Sequence, residues 1–429
     1  MRISTQMLFR QGIDGILQQQ ARAAATQRQI ATGQRVNKPS DDPVAAARIQ
    51  ELERSLAQQD VFLTNIGRIE QRLKTEEAVL TSAGELVQRV RELAVQASND
   101  AIGDRQRELI AIEMRDRLEE LVSIGNTRDG DGEFLFGGAQ KETRPFELGP
   151  AGVSYRGDSV QRELLIGAGT TMADGDTGDQ VFMRIRDGNG TVRVAQEAGN
   201  TGAGFIIAEP AVNLSQYSGE SFRVEFGANA DGDTTFRILD GNGDPVDLST
   251  VQGVTADPTE DLTPPVLGDP PLPATVALFE PGQTIRLAGI GFRIEGAPEA
   301  NDAFVVEPSR FESMFDTIGQ LAAALETKPF DATDRAGIRQ QINDALGQLD
   351  NAETRILEVR AGVGGRLNTL DDINATREEV KLGLTELVSD IRDLDFAEAV
   401  SLLQQQLFTL EAAQQSFAAL QGNSLFRFI

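Results

Sequence analysis

Two interleaved series of apolar residues, each repeating every seven positions, run through the C-terminal third of this 429-residue chain. The first series is Ile342, Leu349, Ile356, Val363, Leu370, Arg377, Leu384 and Ile391. The second series is Ile338, Ala345, Ala352, Val359, Arg366, Ile373, Val380, Leu387 and Leu394. Two such series place an apolar stripe along one side of a helix, which is the pattern of a coiled coil. The sequence therefore predicts a long helix over 338–394, and this helix continues through Gly362, Gly364 and Gly365 because they pack closely against a neighbour.

A matching heptad series lies in the N-terminal third of the chain. Its members are Leu52, Gln59, Ile66, Leu73, Leu80, Val87 and Ala94. Asp42 has the side chain of a helix N-cap, and Pro43 suits the first position of a helix. We predict a helix from Pro43 to about Ser98, a further helix opened by Asp104 and a shorter one over 311–325.

The middle of the chain has a different composition. Residues 127–310 contain 27 of the 42 Gly and 13 of the 16 Pro, and turn residues at this density separate short strands. The predicted fold class is therefore mainly α with an inserted β domain, that is, an α+β protein built from several domains. The expected domains are a terminal coiled coil (1–42 with 395–429), a helical rod (43–143 with 308–394) and a β-rich outer domain (144–307).

The heptad phase breaks near both chain ends, which predicts a separate terminal module. After Leu394 the apolar stripe restarts at Phe396, and Asp395 is placed to cap a new helix. The N-terminal stripe ends at Gly33, before a turn rich in Pro and Asp.

The composition excludes several kinds of chemistry. The chain has no His and no Cys, so zinc sites, thiol nucleophiles and Ser-His-Asp triads are excluded. A glycosidase-type carboxylate pair remains open, although aromatic residues for gripping a sugar are only 5% of the chain. We expect no enzyme activity, no cofactor and no metal. A net charge of −26 argues against a nucleic-acid partner, and no apolar run is long enough to span a membrane.

Two segments of the middle region have alternative interpretations. Residues 240–244 begin like a calcium-binding loop, but Pro245 and Val251 stand where an EF-hand needs Gly and Glu. A hairpin turn is the preferred interpretation there. Residues 258–273 contain six prolines and are predicted to form an exposed, semi-rigid loop.

Several motifs resemble the flagellin superfamily. Residues 32–43 carry the resemblance most clearly, and the Pro-Ser-Asp-Asp-Pro sequence at 39–43 is similar to the hook-associated branch of that superfamily. Further similarities are Val-Arg-Glu-Leu-Ala-Val-Gln-Ala at 90–97, Gly-Glu-Phe-Leu-Phe-Gly-Gly at 132–138 and Gln-Gly-Asn-Ser-Leu-Phe at 421–426. One departure is Phe134, where the branch often has Tyr.

The resemblance implies a structural subunit of the bacterial flagellum at the hook–filament junction. Its implied partners are hook-associated protein 1, flagellin and further copies of itself in a ring or helical layer. The N-terminus lacks the apolar stretch of a Sec signal, and the resemblance implies secretion through the flagellar type III export apparatus with an export chaperone. Its implied location is the extracellular flagellum.

Two groups of residues are the candidate functional sites in this interpretation. The terminal stripes are expected to bury against neighbouring subunits, and their members are Ile3, Met7, Ile13, Leu17, Phe396, Val400, Leu403, Leu407, Leu410, Phe417, Leu420, Leu425 and Phe426. A turn is expected to orient the rod, and its members are Asn37, Pro39, Ser40, Asp41, Asp42 and Pro43. Such terminal segments are expected to fold on assembly, when neighbours supply the apolar surface they lack.

Three rival functions stay open at this point. A filament-forming flagellin is the nearest, although residues 39–43 and the Ser-Leu-Phe sequence at 424–426 argue against it. A protein whose β domain binds a glycan belongs to a different class, as does a cytoplasmic coiled-coil regulator.

Overall fold

The computed structural model of this chain describes residues 5–99, 101–150, 152–229, 231–256, 275–329 and 332–422. The chain divides into two units. Unit 1 comprises Met1–Gly67, Leu165–Thr170 and Leu370–Ile429, and unit 2 comprises Arg68–Leu164 and Thr171–Thr369. The three domains expected from the sequence have different boundaries from these two units and stay a prediction. The proline-rich stretch 258–273 lies outside the described residues.

The described residues form six α-helices. Their bounds are Thr5–Thr32 (α1), Pro43–Ala97 (α2), Asp104–Gly125 (α3), Met314–Glu326 (α4), Ala332–Arg392 (α5) and Phe396–Gly422 (α6). The two heptad patterns correspond to α2 and α5, which have 55 and 61 residues. The heptad residues of these helices in unit 2 are buried, among them Leu73, Leu80, Val87, Ile342, Leu349, Ile356 and Val363. Burial of these residues explains why sequences of modest hydrophobicity form helices this long.

Helix α5 continues through Gly362, Gly364 and Gly365, as the heptad phase predicted. The expected reason, close packing of the backbone, is wrong for contacts within the described chain. A Cβ atom added at any of the three glycines would meet nothing within 4 Å. Each glycine therefore costs helix stability, about 1 kcal/mol relative to Ala, without an internal packing benefit.

Helices α3 and α4 pack together in unit 2 beside a cluster of aromatic rings. The ring centroid of Phe146 lies 4.9 Å from that of Phe315 and 5.4 Å from that of Phe182. The prediction that the shorter helix includes Phe311 is wrong. Helix α4 begins at Met314 because the Ser313 hydroxyl accepts a hydrogen bond from the Asp316 N–H at 3.3 Å.

The strands lie between α3 and α4. Their bounds are Phe146–Gly149 (β1), Gly152–Tyr155 (β2), Glu163–Gly167 (β3), Thr170–Ala173 (β4), Ile185–Arg186 (β5), Val192–Gln196 (β6), Phe205–Glu209 (β7), Phe222–Ala228 (β8), Thr234–Leu239 (β9), Thr255–Ala256 (β10), Ala277–Leu278 (β11), Thr284–Leu287 (β12), Ile290–Glu295 (β13), Ala303–Pro308 (β14) and Phe311–Glu312 (β15). Among the described residues the largest sheet has the order β10-β11-β9-β8-β14-β6, and a second sheet has the order β12-β13-β7. The paired strands in both sheets are antiparallel.

One hydrophobic core joins these two sheets. Strand β8 alternates buried and half-buried residues, with Phe222, Val224 and Phe226 facing inward. Strand β13 contributes Phe292 and Ile294, which are 0% and 1% exposed. This alternation is typical of packed antiparallel sheets. The predicted fold, mainly helical with an inserted β-rich domain, is confirmed.

Unit 2 also contains a buried network of charged side chains around α2. The Arg72 guanidinium pairs with Asp129 and donates hydrogen bonds of 2.9 Å to the carbonyl oxygens of Phe134 and Leu135. The Glu76 carboxylate, one turn further along, accepts a 3.0 Å hydrogen bond from the Asp176 N–H. Burial raises the pKa of Glu76 well above its usual value, because the charged form has lost its water. The network ties the loops that lead to the β strands to α2.

Residues 240–244 form a tight turn after β9, as the preferred interpretation predicted. The Asp240 carboxylate accepts hydrogen bonds of 2.9 Å from the N–H groups of Asn242 and Asp244. The Asp244 N–H, ahead of the other donors, lowers the pKa of Asp240. Gly243 has a φ of 86°, which a residue with a Cβ rarely adopts.

Candidate assembly interface

The first and last helices of the chain pack against each other within unit 1. Gly33, at the end of α1, lies near the ring of Phe396 at the start of α6. At the opposite end, a Cβ atom on Gly12 would stand 2.9 Å from the ring of Phe417. The two helices are therefore antiparallel, and the pairing of the two chain ends is present in the fold.

The seam on α1 consists of small and polar residues for the most part. Its buried and half-buried members recur at heptad spacing and are Gly12, Ile16, Gln19, Ala23, Thr26 and Ile30. The stripe predicted from the sequence is displaced by one residue, because Ile13 and Leu17 are 37% and 55% exposed. Met7, further toward the N-terminus, is 65% exposed.

The predicted stripe of α6 divides into two sets. Leu403, Leu410 and Phe417 are half-buried and belong to the seam, together with the buried Ala399. The remaining members are exposed, and these are Phe396 (54%), Val400 (43%) and Leu407 (50%). Helix α6 therefore carries more apolar surface than one partner helix covers.

The exposed apolar residues of the two helices lie on the same side of the pair. Successive residues of an α-helix are rotated by about 100° around the helix axis. On both helices, the exposed apolar residues are rotated away from the seam by roughly 50–140°, in the direction of increasing residue number. Because the helices are antiparallel, equal senses of rotation bring both stripes to one side. We call this surface the terminal face and define it as Ile13, Leu17, Phe396, Val400 and Leu407.

Some predicted interface residues cannot be placed on either surface. Ile3, Leu425 and Phe426 lie outside the described residues. Leu420 lies within α6, but its side chain is outside the described part of the chain. Two exposed apolar residues of α6 were missed by the prediction, namely Leu402 (44% exposed) and Phe408 (74% exposed). Each lies directly beside a member of the predicted stripe but outside its heptad spacing.

The predicted turn between α1 and α2 is held together by two carboxylates. Asp41 accepts hydrogen bonds from the N–H groups of Asn37 and Lys38, at 3.2 and 3.0 Å. Asp42 accepts hydrogen bonds from the N–H groups of Val44 and Ala45, at 3.1 and 3.0 Å. Asp42 is therefore the N-cap of α2, as predicted, and Pro43 is its first residue.

The remaining turn residues lie on the surface above a small core. Pro39 and Ser40 are exposed, as is Pro43. Beneath the turn, Val36 packs with Ala45 and Ile49 of α2, and Ile391 of α5 lies against them. The turn therefore joins the start of α2 to the end of α5 within unit 1.

The two breaks in the heptad pattern are hydrogen-bonded to each other. The Arg35 N–H donates to the carbonyl of Arg392 at 2.7 Å, and the Leu394 N–H donates to the carbonyl of Gly33 at 2.9 Å. Gly33 has a φ of 71°, a conformation that favours glycine. We call this connection, formed by residues 33–35 and 392–394, the paired linker.

Further polar contacts fix the end of α5 and the start of α6. The Asp395 carboxylate accepts hydrogen bonds from the N–H groups of Ala397 and Glu398, at 2.9 and 3.2 Å, so it caps α6 as predicted. The Ser389 hydroxyl donates to Asp393 at 2.6 Å and, together with Arg392, lowers the pKa of that carboxyl. Helix α6 therefore starts at a defined residue.

The terminal face has no chemistry of its own beyond its apolar surface. Its five side chains carry no titratable group. Burial of apolar surface is worth roughly 25 cal/mol per Å². The terminal face is therefore suited to bind another apolar surface. No helix in the described part of the chain has the length and hydropathy needed to cross a bilayer.

Comparison with known proteins agrees with this arrangement. The family model for the N-terminal helical region of bacterial flagellin matches residues 3–141. Flagellar hook-associated protein 3 of Escherichia coli strain K12 is 25% identical over 427 residues, which cover 100% of this chain and 99% of that protein. Similar solved structures are FlgL of Xanthomonas campestris and the flagellar junction protein FlgL of Legionella pneumophila.

Both structures match most of the chain. The Xanthomonas protein has a TM-score of 0.67 and 28% identity, and the match covers 79% of this chain and 99% of that one. The Legionella protein has a TM-score of 0.65 and 26% identity, with coverage of 76% and 99%.

These findings define the class of protein: the N-terminal third of the chain matches the helical region of bacterial flagellin, and the chain is a structural protein of the extracellular flagellum. Over its whole length it is similar to flagellar hook-associated protein 3. The prediction of a structural protein of the hook–filament junction is confirmed, and the alternative of a filament-forming flagellin is not favoured.

Proposed function

We propose that this chain adapts a layer of hook-associated protein 1 to the flagellin filament by burying its terminal face against neighbouring subunits. The observation that carries the proposal is the surplus of apolar surface on α1 and α6. Phe396 and Leu407 are about half exposed even though both helices are already paired. A neighbouring helix of the same kind would cover them.

The composition of the α1–α6 seam supports coupled folding and assembly. Three of its α1 members, Gly12, Gln19 and Thr26, contribute little apolar area. An isolated pair of helices with such a seam gains little free energy from burial, and the ordering of each residue costs conformational entropy. Assembly adds the apolar contacts of the terminal face, so the chain ends become stable when sister copies shield them.

The route out of the cell and the partners belong to the same proposal. The subunit leaves through the flagellar type III export apparatus with the help of an export chaperone. It then forms a ring or helical layer with its own copies, bounded by hook-associated protein 1 on one side and flagellin on the other. Its role is structural, without catalysis, a cofactor, a nucleic-acid partner or a membrane partner. The absence of His and Cys from the sequence supports a role of this kind.

Two substitutions in α6 test the proposal, one on the terminal face and one in the seam. Leu407→Asp places a charge on the terminal face, and we expect loss of incorporation into flagella while unit 2 stays folded. Leu410→Asp places the charge in the seam, and we expect the same loss of incorporation. Incorporation is measured by immunolabelled electron microscopy of detached flagella, and folding of unit 2 by urea unfolding of the purified chain followed by circular dichroism.

Gln405→Asp is the matched control, since it adds the same charge at an exposed position of α6 away from the terminal face. We expect normal incorporation of this variant. Normal incorporation of Leu407→Asp would refute the role of the terminal face.

A further inference from the structure

Identical subunits in a ring or helical layer meet through two different surfaces, one on each side of every subunit. The terminal face accounts for contacts of the chain ends only. Unit 2 therefore needs two complementary surfaces of its own, and the described residues contain a pair that fit each other. This inference rests on the proposed function, since it concerns contacts within that layer.

The first surface surrounds Phe311, for which the apolar spacing wrongly predicted a helix. Phe311 lies in β15, opposite Arg186 of β5, and is 51% exposed. The guanidinium carbon of Arg186 lies 4.5 Å from the centre of its ring, and that of Arg184 lies 4.9 Å away. We call Arg184, Arg186 and Phe311 the Phe311 patch.

The positive charge of the Phe311 patch is poorly neutralised. Arg186 has no carboxylate within 4.0 Å among the described residues, and it donates one hydrogen bond to the carbonyl of Ser309 at 3.1 Å. Arg184 reaches Asp179 only at 4.0 Å, with 54% of its side chain exposed. Such a site is unusual in a chain with 66 acidic and 40 basic residues. Guanidinium groups held on an aromatic ring are suited to bind carboxylates beside an apolar contact.

The second surface is the outward side of α3, which has the opposite character. Leu109 and Ile112 are 59% and 50% exposed. Glu108, Asp116 and Glu119 are exposed on the same side of the helix, because they fall within about 100° of one another at 100° per residue. None of these three carboxylates takes part in an ion pair within the described residues. We call these five residues the α3 face.

We propose that the Phe311 patch of one copy binds the α3 face of a second copy. The Phe311 ring covers Leu109 and Ile112, while the guanidinium groups pair with carboxylates such as Asp116. Because the two surfaces differ, the contact is head-to-tail and repeats from copy to copy. Both surfaces belong to unit 2, so the contact is separate from the terminal face.

Other exposed apolar residues of unit 2 are not combined with arginine side chains in this way. Val212 and Leu214 are 65% and 62% exposed, but neither has a guanidinium on an aromatic ring beside it. Val212 is therefore suited as a matched control position for the test.

Because the chain has no Cys, introduced cysteines are the sole thiols and report the contact directly. The full-length double variant Asp116→Cys with Arg186→Cys is expressed in place of the wild-type chain, and detached flagella are treated with a short bis-maleimide. We expect a ladder of cross-linked oligomers larger than the dimer. Each single variant, and the control pair Asp116→Cys with Val212→Cys, should give no ladder. A double variant that is present in flagella but stays monomeric would overturn the proposal.

Charge reversal gives an independent readout. The background chain for this test keeps Asp116 and carries Leu109→Cys and Arg184→Cys. Adding Arg186→Glu to it should lower the cross-linked fraction about fivefold, which is the size of effect expected for an exposed ion pair. Adding Asp116→Arg should restore it, whereas no restoration would count against the pairing. If the unmodified chain is itself absent from the junction, the proposed function fails. If it is present and only the cross-links are missing, the contact alone is refuted.

Discussion

Arg72 is a buried arginine of unit 2 with several partners. It is 7% exposed, and it pairs with Asp129 while donating hydrogen bonds to the carbonyls of Phe134 and Leu135. Asp174 lies 3.8 Å from its Nε atom. A buried ion pair is weak evidence for net stability, but the removal of one partner leaves a buried charge without compensation. The loop that contains the Phe134 motif therefore depends on this arginine.

Replacement of Arg72 by Ala tests this dependence. We expect a decrease in the free energy of unfolding of about 3–5 kcal/mol, because Asp129 would stay buried without its ion-pair partner. Urea unfolding followed by circular dichroism measures the change. Arg48→Ala is the control, since Arg48 pairs with Glu51 on the surface and its loss should cost under about 1 kcal/mol. Equal effects of the two variants would contradict the prediction.

Two other arginines show how far single residues could be predicted from the sequence. Arg366 and Arg377 interrupt the two heptad series, and the spacing alone gave no reason for either. Arg366 pairs with the half-buried Asp176 in unit 2. Arg377 lies over the ring of Phe62 in unit 1, with 5.2 Å between its guanidinium carbon and the ring centre. The partners of both arginines are remote in sequence. The heptad periodicity therefore showed where Arg366 and Arg377 interrupt the apolar series, but it could not show what they contact.

The terminal helices show the limit of pattern analysis at the level of secondary structure elements. The existence of α1 and α6 was predictable, but the seam of α1 lies one residue away from the predicted stripe. Three of the six seam residues, Gly12, Ala23 and Thr26, have small side chains, and small residues leave little trace in an apolar pattern. The larger Ile13 and Leu17 dominate the pattern and are exposed. Strand pairing in the β domain was not predictable, because it joins segments far apart in the chain.

The N-cap of α2 gives a prediction for an element. Asp42→Ala removes the acceptor for two N–H groups at the start of this helix, and we expect a loss of about 1 kcal/mol in the free energy of unfolding of unit 1. Urea unfolding followed by helicity measures the loss. Ser40→Ala is the control in the same turn, because the Ser40 side chain is exposed and makes no hydrogen bond within the described residues. A loss of similar size in Ser40→Ala would show that the change in the free energy of unfolding comes from the turn as a whole and not from the N-cap.

For the whole molecule, the described residues divide between a unit with a large apolar core and a unit whose helix pair has a polar seam. Residues such as Val224, Ile238 and Phe292 lie in the core of the β domain and are 0% exposed. Regions with few buried apolar contacts open locally at low cost in free energy. The stability of the chain is therefore expected to be uneven along its length.

Hydrogen exchange of the purified, unassembled chain tests this unevenness. We expect the amides of α1 and α6 to exchange at least about a hundredfold faster than those of strands β8 and β13, since local opening of the helix pair exposes little apolar surface. In isolated flagella the same helices should become protected. Strong protection of α1 and α6 in the unassembled chain would contradict coupled folding and assembly.

The paired linker has a consequence for how such a subunit could join two different lattices. Because residues 33–35 are hydrogen-bonded to residues 392–394, the first and last helices are attached to one shared connection. If the direction of the chain changed at this connection, both helices would move together. A protein inserted between a hook and a filament can then accommodate two unlike neighbours by adjusting one joint.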